Sequence, residues 1–358
     1  MNDILLITTI AIFLSSFVSL FVFRKVAKII NLVDVPTNRK AHQGEIPLVG
    51  GLAIFIVVLS FVAISPSALT SSSVYVFCAL ALLALGVLDD YFDVSFKLRL
   101  IVQLLMTFAM MYLADLQLTA LPNVFGPFDI QLGLFGAILT VIAVIGAVNC
   151  FNMIDGIDGL LGGIATVTFG SMCLLFYIAG DVDSGLLCLV IVAATIPYIL
   201  MNLGVPLGQR FKVFMGDAGS TVIGFTVVWM LIEGSQGNDI AFSPVTGLWV
   251  AAVPIMDAIS TICRRIKKGQ SPFKPDREHL HHILMRLGLS PKHALIAICL
   301  FALLLASFGI SAEVLEIPHY VMFWLFVVAT CTYYYFMSHI WRITVRIRKY
   351  FNITTKYR

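Results

Sequence analysis

Asp89-Asp90-Tyr91-Phe92-Asp93 puts two adjacent carboxylates and a third acid directly after an apolar run, with Lys97 and Arg99 close behind. Neighbouring carboxylates repel, and one has a raised pKa unless a cation holds both. A divalent metal or a proton-transfer role accounts for the pairing. So does a solvated loop balanced by Lys97 and Arg99. A second group gathers Asn149, Asn152, Asp155 and Asp158 among Gly156, Gly159, Gly162 and Gly163. Glycine lets a backbone approach a ligand closely, and these oxygen donors suit Mg²⁺ with a phosphate substrate. Asn152, Asp155 and Asp158 are spaced by three, so a helical turn is expected to align them. The plainer alternative is a glycine-rich turn capped by Asp.

The third group is residues 214–221, FMGDAGST, preceded by Gly208, Arg210 and Lys212. Asp217 there either caps a helix or ligates a metal whose phosphate partners meet that helix N-terminus. The fourth group holds Arg264, Arg265, Lys267 and Lys268, then Asp276, Arg277, Glu278, His279, His281 and His282. Arg and His together suit phosphates and sugar hydroxyls. The histidines lack the Cys partners and fixed spacing of a zinc site. Lys267 and Lys268 read as a headgroup patch or positive-inside signal, and His279 as a substrate contact. Asp257 lies alone inside an apolar run, where it must face protein or water. A structural hydrogen bond and a substrate contact are both open for it.

The elements that position these groups must be mostly lipid-embedded. Of 358 residues 59% are hydrophobic and only 12% charged, against roughly 25% charged in a soluble domain. Mean hydropathy is +0.97. This excludes a soluble enzyme, a disordered chain and a nucleic-acid binder. The seven cysteines form no CxxC pair and read as small core residues. About eleven runs reach spanning length, near 3–23, 46–64, 73–88, 98–114, 132–148, 160–180, 185–203, 218–233, 244–262, 293–312 and 319–338. They are long and continuous, which favours helices over a barrel.

The 23 Lys and Arg fall in or beside the segments 24–45, 89–97, 149–159, 204–217, 263–292 and 339–358. The alternate loops have none and carry Asp115, Asp129, Asp181, Asp183, Asp239, Glu313 and Glu316. The positive-inside rule puts the basic side in the cytoplasm, with the N-terminus periplasmic and the C-terminus cytoplasmic. The expectation is therefore an all-α integral membrane protein, one multi-span domain over 1–358, retaining its first span as an anchor.

Four motif groups in this order resemble the polyprenyl-phosphate N-acetylhexosamine-1-phosphate transferases, of the glycosyltransferase 4 type. The resemblance covers nearly the whole chain. Its motifs are 44–51 (GEIPLVGG), 89–95 (DDYFDVS), 152–163 (NMIDGIDGLLGG), 213–221 (VFMGDAGST), 271–277 (SPFKPDR) and 279–282 (HLHH). Within the family it is similar to members that act on UDP-GlcNAc and undecaprenyl phosphate. The resemblance implies a helical bundle with a cytoplasm-facing cleft in the bacterial inner membrane. It implies transfer of GlcNAc-1-phosphate, release of UMP, Mg²⁺ as cofactor with Mn²⁺ as its alternative, and a homodimer. By the same resemblance Asp89 and Asp90 are the acidic pair of the catalytic cleft, one of them deprotonating the lipid phosphate. Asp155 and Asp158 organise nucleotide and metal, and Asp217 is the metal ligand with Asn152 as a second. Lys97 binds diphosphate, and Arg265, His279, His281 and His282 meet the nucleotide sugar.

The rivals are a phospho-MurNAc-pentapeptide transferase, a transferase for another UDP-N-acetylhexosamine, and a secondary transporter. Transporters hold their coupling carboxylates near the midplane, whereas these acids cluster at span ends. An intramembrane aspartyl protease needs GxGD, and Phe214-Met215-Gly216-Asp217 lacks the first glycine. A CDP-alcohol phosphotransferase needs DGxxAR, which Asp155-Gly156-Ile157-Asp158-Gly159-Leu160 does not supply.

Overall fold

The computed structural model describes residues 2–36, 44–237, 239–271 and 279–351. Arg39, Lys40, residues 272–277 of the SPFKPDR motif, Glu278 and the end of the tail lie outside the described residues.

Helices dominate, as expected where the backbone must satisfy itself in lipid. In chain order they are α1 (Asn2–Ile29), α2 (Gly50–Ile64), α3 (Ser72–Phe92), α4 (Phe96–Leu113), α5 (Leu134–Ile154), α6 (Leu160–Ala179) and α7 (Val182–Leu203). There follow α8 (Gly216–Ser235), α9 (Pro244–Val250), α10 (Ala252–Lys267), α11 (Leu280–Arg286), α12 (Pro291–Val314) and α13 (His319–Phe351). Two short antiparallel pairs join β1 (Val33–Asp34) to β2 (Ile46–Pro47) and β3 (Ala120–Leu121) to β4 (Ile130–Gln131).

The starts and stops follow local chemistry. Ser95, Asp181 and Ser290 cap α4, α7 and α12 with their side chains. Gly180 and Gly204, both left-handed, close α6 and α7. Among the described residues nine helices are long and apolar enough to cross a membrane, and ten with α9 and α10 counted together.

Two expected spans differ from a plain crossing. Run 46–64 begins with β2, and its helix has 15 residues, about 22 Å at 1.5 Å per residue. Run 244–262 is broken at Ala251, where α9 and α10 meet at 82°. Glu313 of α12 accepts the backbone N–H of Ser243 at 3.1 Å and the hydroxyl of Thr246, which anchors the first limb of that break.

Helix α8 lies at the centre, buried along nearly its whole length and packed against α2, α3, α5 and α6. It sits unusually close to α2 and α3. A Cβ added at Gly51 would lie 2.1 Å from Gly219 Cα, and one added at Gly86 would lie 2.2 Å from Ala218 Cα. Those glycines set the position of the first turn of α8, which carries Asp217. A second, smaller apolar cluster around Trp249, Met256, Met322 and Phe326 joins α9 and α10 to α13.

Candidate active site

The ends of several helices meet at one cleft of about 820 Å³. Its lining includes Asp34, Asp89, Asp90, Asp93, Asp155, Asp158 and Asp217, with Tyr198 and Asn202. Seven carboxylates thus line one cleft.

Asp89 and Asp90 are not in a loop. Helix α3 continues to Phe92, so both belong to its last turns. Consecutive helical residues point in different directions, and these two do different things. Asp89 is buried and accepts from Arg99 Nη1 at 2.6 Å. Asp90 turns to α8, where Oδ1 accepts the Asp217 N–H at 2.9 Å and Oδ2 that of Ala218 at 3.4 Å. Met215, the residue before α8, offers no side-chain cap, so Asp90 supplies it from another helix. Gly216 has φ +75°, and a Cβ there would lie 2.5 Å from Asp90 Oδ2. Glycine is required on both counts.

Asp217 leaves its own side chain for the cleft. The Asn152 amide donates to its Oδ1 at 2.7 Å and to Ser220 Oγ at 2.9 Å. Arg99 Nη1 stands 3.9 Å from its Oδ2.

The expected alignment of Asn152, Asp155 and Asp158 on one helical turn does not occur. Helix α5 ends at Ile154, Asp155 is its cap residue, and Gly159 with φ +77° opens α6. The chain reverses between two helices here, and the glycines make that turn possible. Asp155 and Asp158 still both reach the cleft. Lys212 donates to Asp158 Oδ2 at 2.6 Å and lies over the Phe214 ring. Asn202 pins the same turn: it accepts from Gly159 N–H and donates to Val213 carbonyl at 2.8 Å. The Asp155 surface opens to the cleft, yet protein packed around it, then Asp217 and Asp158, push its carboxyl up to about 7.

The histidines form the neighbouring wall. His281 is buried, its Nε2 has no hydrogen-bond partner among the described residues, and a Cβ on Gly156 would lie 2.1 Å from that atom. Burial, then His282 and His279, hold its imidazole down at about 3, so it is neutral. Its ring stacks with His279 at 5.9 Å and 6°.

The structure therefore brings Asp89, Asp90, Asp155, Asp158, Asp217 and Asn152 together and sets the His cluster against Gly156. It does not place Lys97 or Arg265 on the cleft lining. Lys97 is exposed on the first turn of α4, and Arg265 is buried in α10. Arg99, read from the sequence only as a balancing charge, is the cation on Asp89. Asn202 and Tyr198 were not singled out. A lone Asn one residue before the end of an apolar run was the available signal for the first.

The donor set fits Mg²⁺. That ion takes one or two carboxylates plus substrate phosphates and keeps several waters, in place of an all-protein cage. Among the described residues no three of His, Cys, Asp and Glu form such a cage. Asp217, partly exposed and hydrogen-bonded to Asn152, is a carboxylate that could hold such an ion.

Residues 72–235 match the glycosyl transferase family 4 description. Curated relatives called undecaprenyl-phosphate alpha-N-acetylglucosaminyl 1-phosphate transferase match along most of the chain. The one from Yersinia pestis is 48% identical over 95% of this chain and 93% of its own. That of Escherichia coli K12 is 44% identical over 95% and 93%, and that of Haemophilus influenzae 43% over 94% and 95%. With this identity along nearly its whole length, the chain belongs to the polyprenyl-phosphate N-acetylhexosamine-1-phosphate transferases of glycosyl transferase family 4.

Proposed function

We propose that the chain transfers GlcNAc-1-phosphate from UDP-GlcNAc to undecaprenyl phosphate, giving undecaprenyl-diphospho-GlcNAc and UMP. The observation that carries this is the acidic cleft at the helix ends, flanked by Arg99 and Lys212. Both substrates are anions, and a cleft with seven carboxylates repels them unless cations intervene. The enzyme is thus a divalent-cation-dependent transferase, with Mg²⁺ preferred and Mn²⁺ its alternative. When bound, the ion neutralises charge on the diphosphate and holds it for in-line attack.

The protein's groups divide the remaining work. Arg99 donates to Asp89 and orients it at the cleft edge, where Asp89 accepts the proton of the lipid phosphate. Asp217, oriented by Asn152, holds the metal, and Asp155 and Asp158 organise the nucleotide end. His279, His281, His282 and Arg265 meet the nucleotide sugar, and Lys97 meets the diphosphate as it arrives. One phosphoric anhydride is exchanged for another, so positioning and electrostatics suffice.

The chain works as a single domain that crosses the inner membrane eleven times and pairs as a homodimer. The clustering of cations on alternate loops supports a cytoplasmic cleft with the N-terminus outside. The test is an assay of purified protein with UDP-GlcNAc, undecaprenyl phosphate and Mg²⁺. UMP release is expected without a membrane potential. Turnover of only the MurNAc-pentapeptide nucleotide, or of only another UDP-N-acetylhexosamine, overturns the assignment of substrate.

A further inference from the structure

Asp257 is 3% exposed within α10, and both its oxygens are engaged. Oδ2 lies 2.8 Å from His279 Nδ1. Oδ1 accepts the Tyr333 hydroxyl at 2.8 Å and the Leu280 N–H at 3.1 Å. A carboxylate among apolar helices is costly unless fully paired. Here the pairing comes from two places: the start of α11, and α13. His279 is the residue that precedes α11, and its side chain does not cap that helix. Asp257 caps it from α10 and takes the His279 ring at the same time.

The chemistry of the pair fixes which ring atom is left for a ligand. A carboxylate only accepts, so Nδ1 carries the proton that bonds to Asp257. With Nδ1 committed, Nε2 is the polar atom of the ring that remains for a ligand. The ring stacks on His281, and His281 packs against Gly156, between Asp155 and Asp158 on the cleft turn. A continuous chain of contacts thus runs from α13 through Asp257, His279 and His281 to the cleft.

We infer that Asp257 and Tyr333 are positioning residues for His279, holding its ring by Nδ1 and leaving Nε2 to hydrogen-bond a hydroxyl or acetamido group of the nucleotide sugar. This rests on the proposed contact between His279 and that substrate. It also gives the last helix a task in the site: α13 lies wholly outside the matched residues 72–235, yet its Tyr333 buttresses the histidine loop.

The test is a pair of double-mutant cycles on the full-length protein in detergent. For wild type, Asp257→Asn, Tyr333→Phe, His279→Ala and the two doubles with His279→Ala, kcat/KM and the dissociation constant are measured for UDP-GlcNAc. The KM for undecaprenyl phosphate is followed in parallel. Losing a hydrogen bond to a charged group predicts a fall in kcat/KM of roughly 10- to 100-fold for Asp257→Asn. Tyr333→Phe, which still leaves two donors on Asp257, falls by less. The KM for the lipid substrate stays at its wild-type value. In the His279→Ala background neither change costs anything further. Losses that multiply there, or equal rises in KM for both substrates, overturn the inference. Where His279→Ala leaves too little turnover, the dissociation constants carry the same comparison. Where Asp257→Asn does not fold, the Tyr333→Phe cycle decides alone. A wild-type protein that releases no UMP overturns the proposed reaction itself, before any variant is compared.

Discussion

The Asp90 carboxylate on α3 accepts the backbone N–H of Asp217 on α8 at 2.9 Å. One acid of the adjacent pair therefore builds the helix start that presents another acid to the cleft. Its oxygens are committed to backbone donors, whereas Asp89 is held by Arg99 at the cleft edge. Asn keeps an acceptor for those donors and loses the charge, while Ala loses both. Asp90→Ala is expected to lower stability by about 1 kcal/mol, the usual worth of an N-cap. Asp90→Asn is expected to melt near wild type and to keep more activity than Asp89→Asn. Equal loss in the two Asn variants, measured as kcat with both substrates saturating, would contradict this division of labour.

Glycine packing sets the same helix start from behind. A Cβ at Gly86 would meet Ala218 Cα at 2.2 Å and Ala218 N at 2.4 Å, backbone atoms that no rotamer change relieves. Gly86→Ala must push α3 and α8 apart, at a cost of roughly 1–3 kcal/mol for overpacking. Asp217 moves with the helix, so kcat should fall at least tenfold, about 1.4 kcal/mol in the barrier. The control is Gly146→Ala in α5, where an added Cβ meets nothing within 4 Å. It should leave activity intact. Matching losses from both variants would mean that helix flexibility, and not the seating of Asp217, is at stake.

Lys212 and Asp158 form the ion pair at the turn between α5 and α6. Lys212 is nearly buried and Asp158 is not, so removing the lysine strands a carboxylate that water partly rescues. Lys212→Met should therefore cost about 1–2 kcal/mol, below the 3–5 of a fully buried pair. It also adds an uncompensated negative charge to the cleft, which should raise KM for UDP-GlcNAc more than it changes kcat. Adding Asp158→Asn should restore the melting temperature without restoring turnover. A double variant that stays as unstable as Lys212→Met would show that the lysine ammonium over the Phe214 ring supplies the stability instead.

How much of this was legible follows from which forces act locally. Long apolar runs reveal helices because lipid leaves the backbone no alternative. The ends were less legible. Polar Asp89 and Asp90 looked like loop, yet α3 runs on to Phe92 because its backbone bonds are indifferent to the change in side chains. The break at Ala251 falls inside one apolar run, where its local mark is Pro254, which has no N–H to bond back to Val250; Glu313, which anchors the first limb, lies on another helix. The acids of the cleft were identifiable by type and clustering. Their partners were not: Asp90 with Asp217 and Asp158 with Lys212 are 127 and 54 residues apart. No periodicity connects such positions: the packing of α8 against α3 brings the first pair into reach, and Asn202 of α7, bonded to both Gly159 and Val213, holds the two segments of the second together. For the same reason the sequence offered Lys97 and Arg99 alike as balancing charges for the first motif, and only the fold shows that Arg99 is the one paired with Asp89.

The shift of Asp155 makes a pH prediction whose sign can be worked out. Its folded-state carboxyl is raised from 3.8 to about 7, by the protein around it and by Asp217 and Asp158. Below pH 4 the group is protonated in both folded and unfolded chains and contributes nothing. Between 4 and 7 the unfolded chain releases its proton and the folded chain keeps it, so stability falls as pH rises. Above about 7 the full penalty is present. Asp155→Asn removes a charge that the cleft disfavours, so the variant should melt above wild type at pH 8. The advantage should shrink as pH falls and vanish near pH 4. Melts are run without divalent cation, which would otherwise stabilise the carboxylate. Turnover should be lost throughout, the usual conflict between a strained site and stability. A variant less stable than wild type at pH 8 would mean that Asp155 is held there as a favourable carboxylate, with a cationic partner that outweighs Asp217 and Asp158.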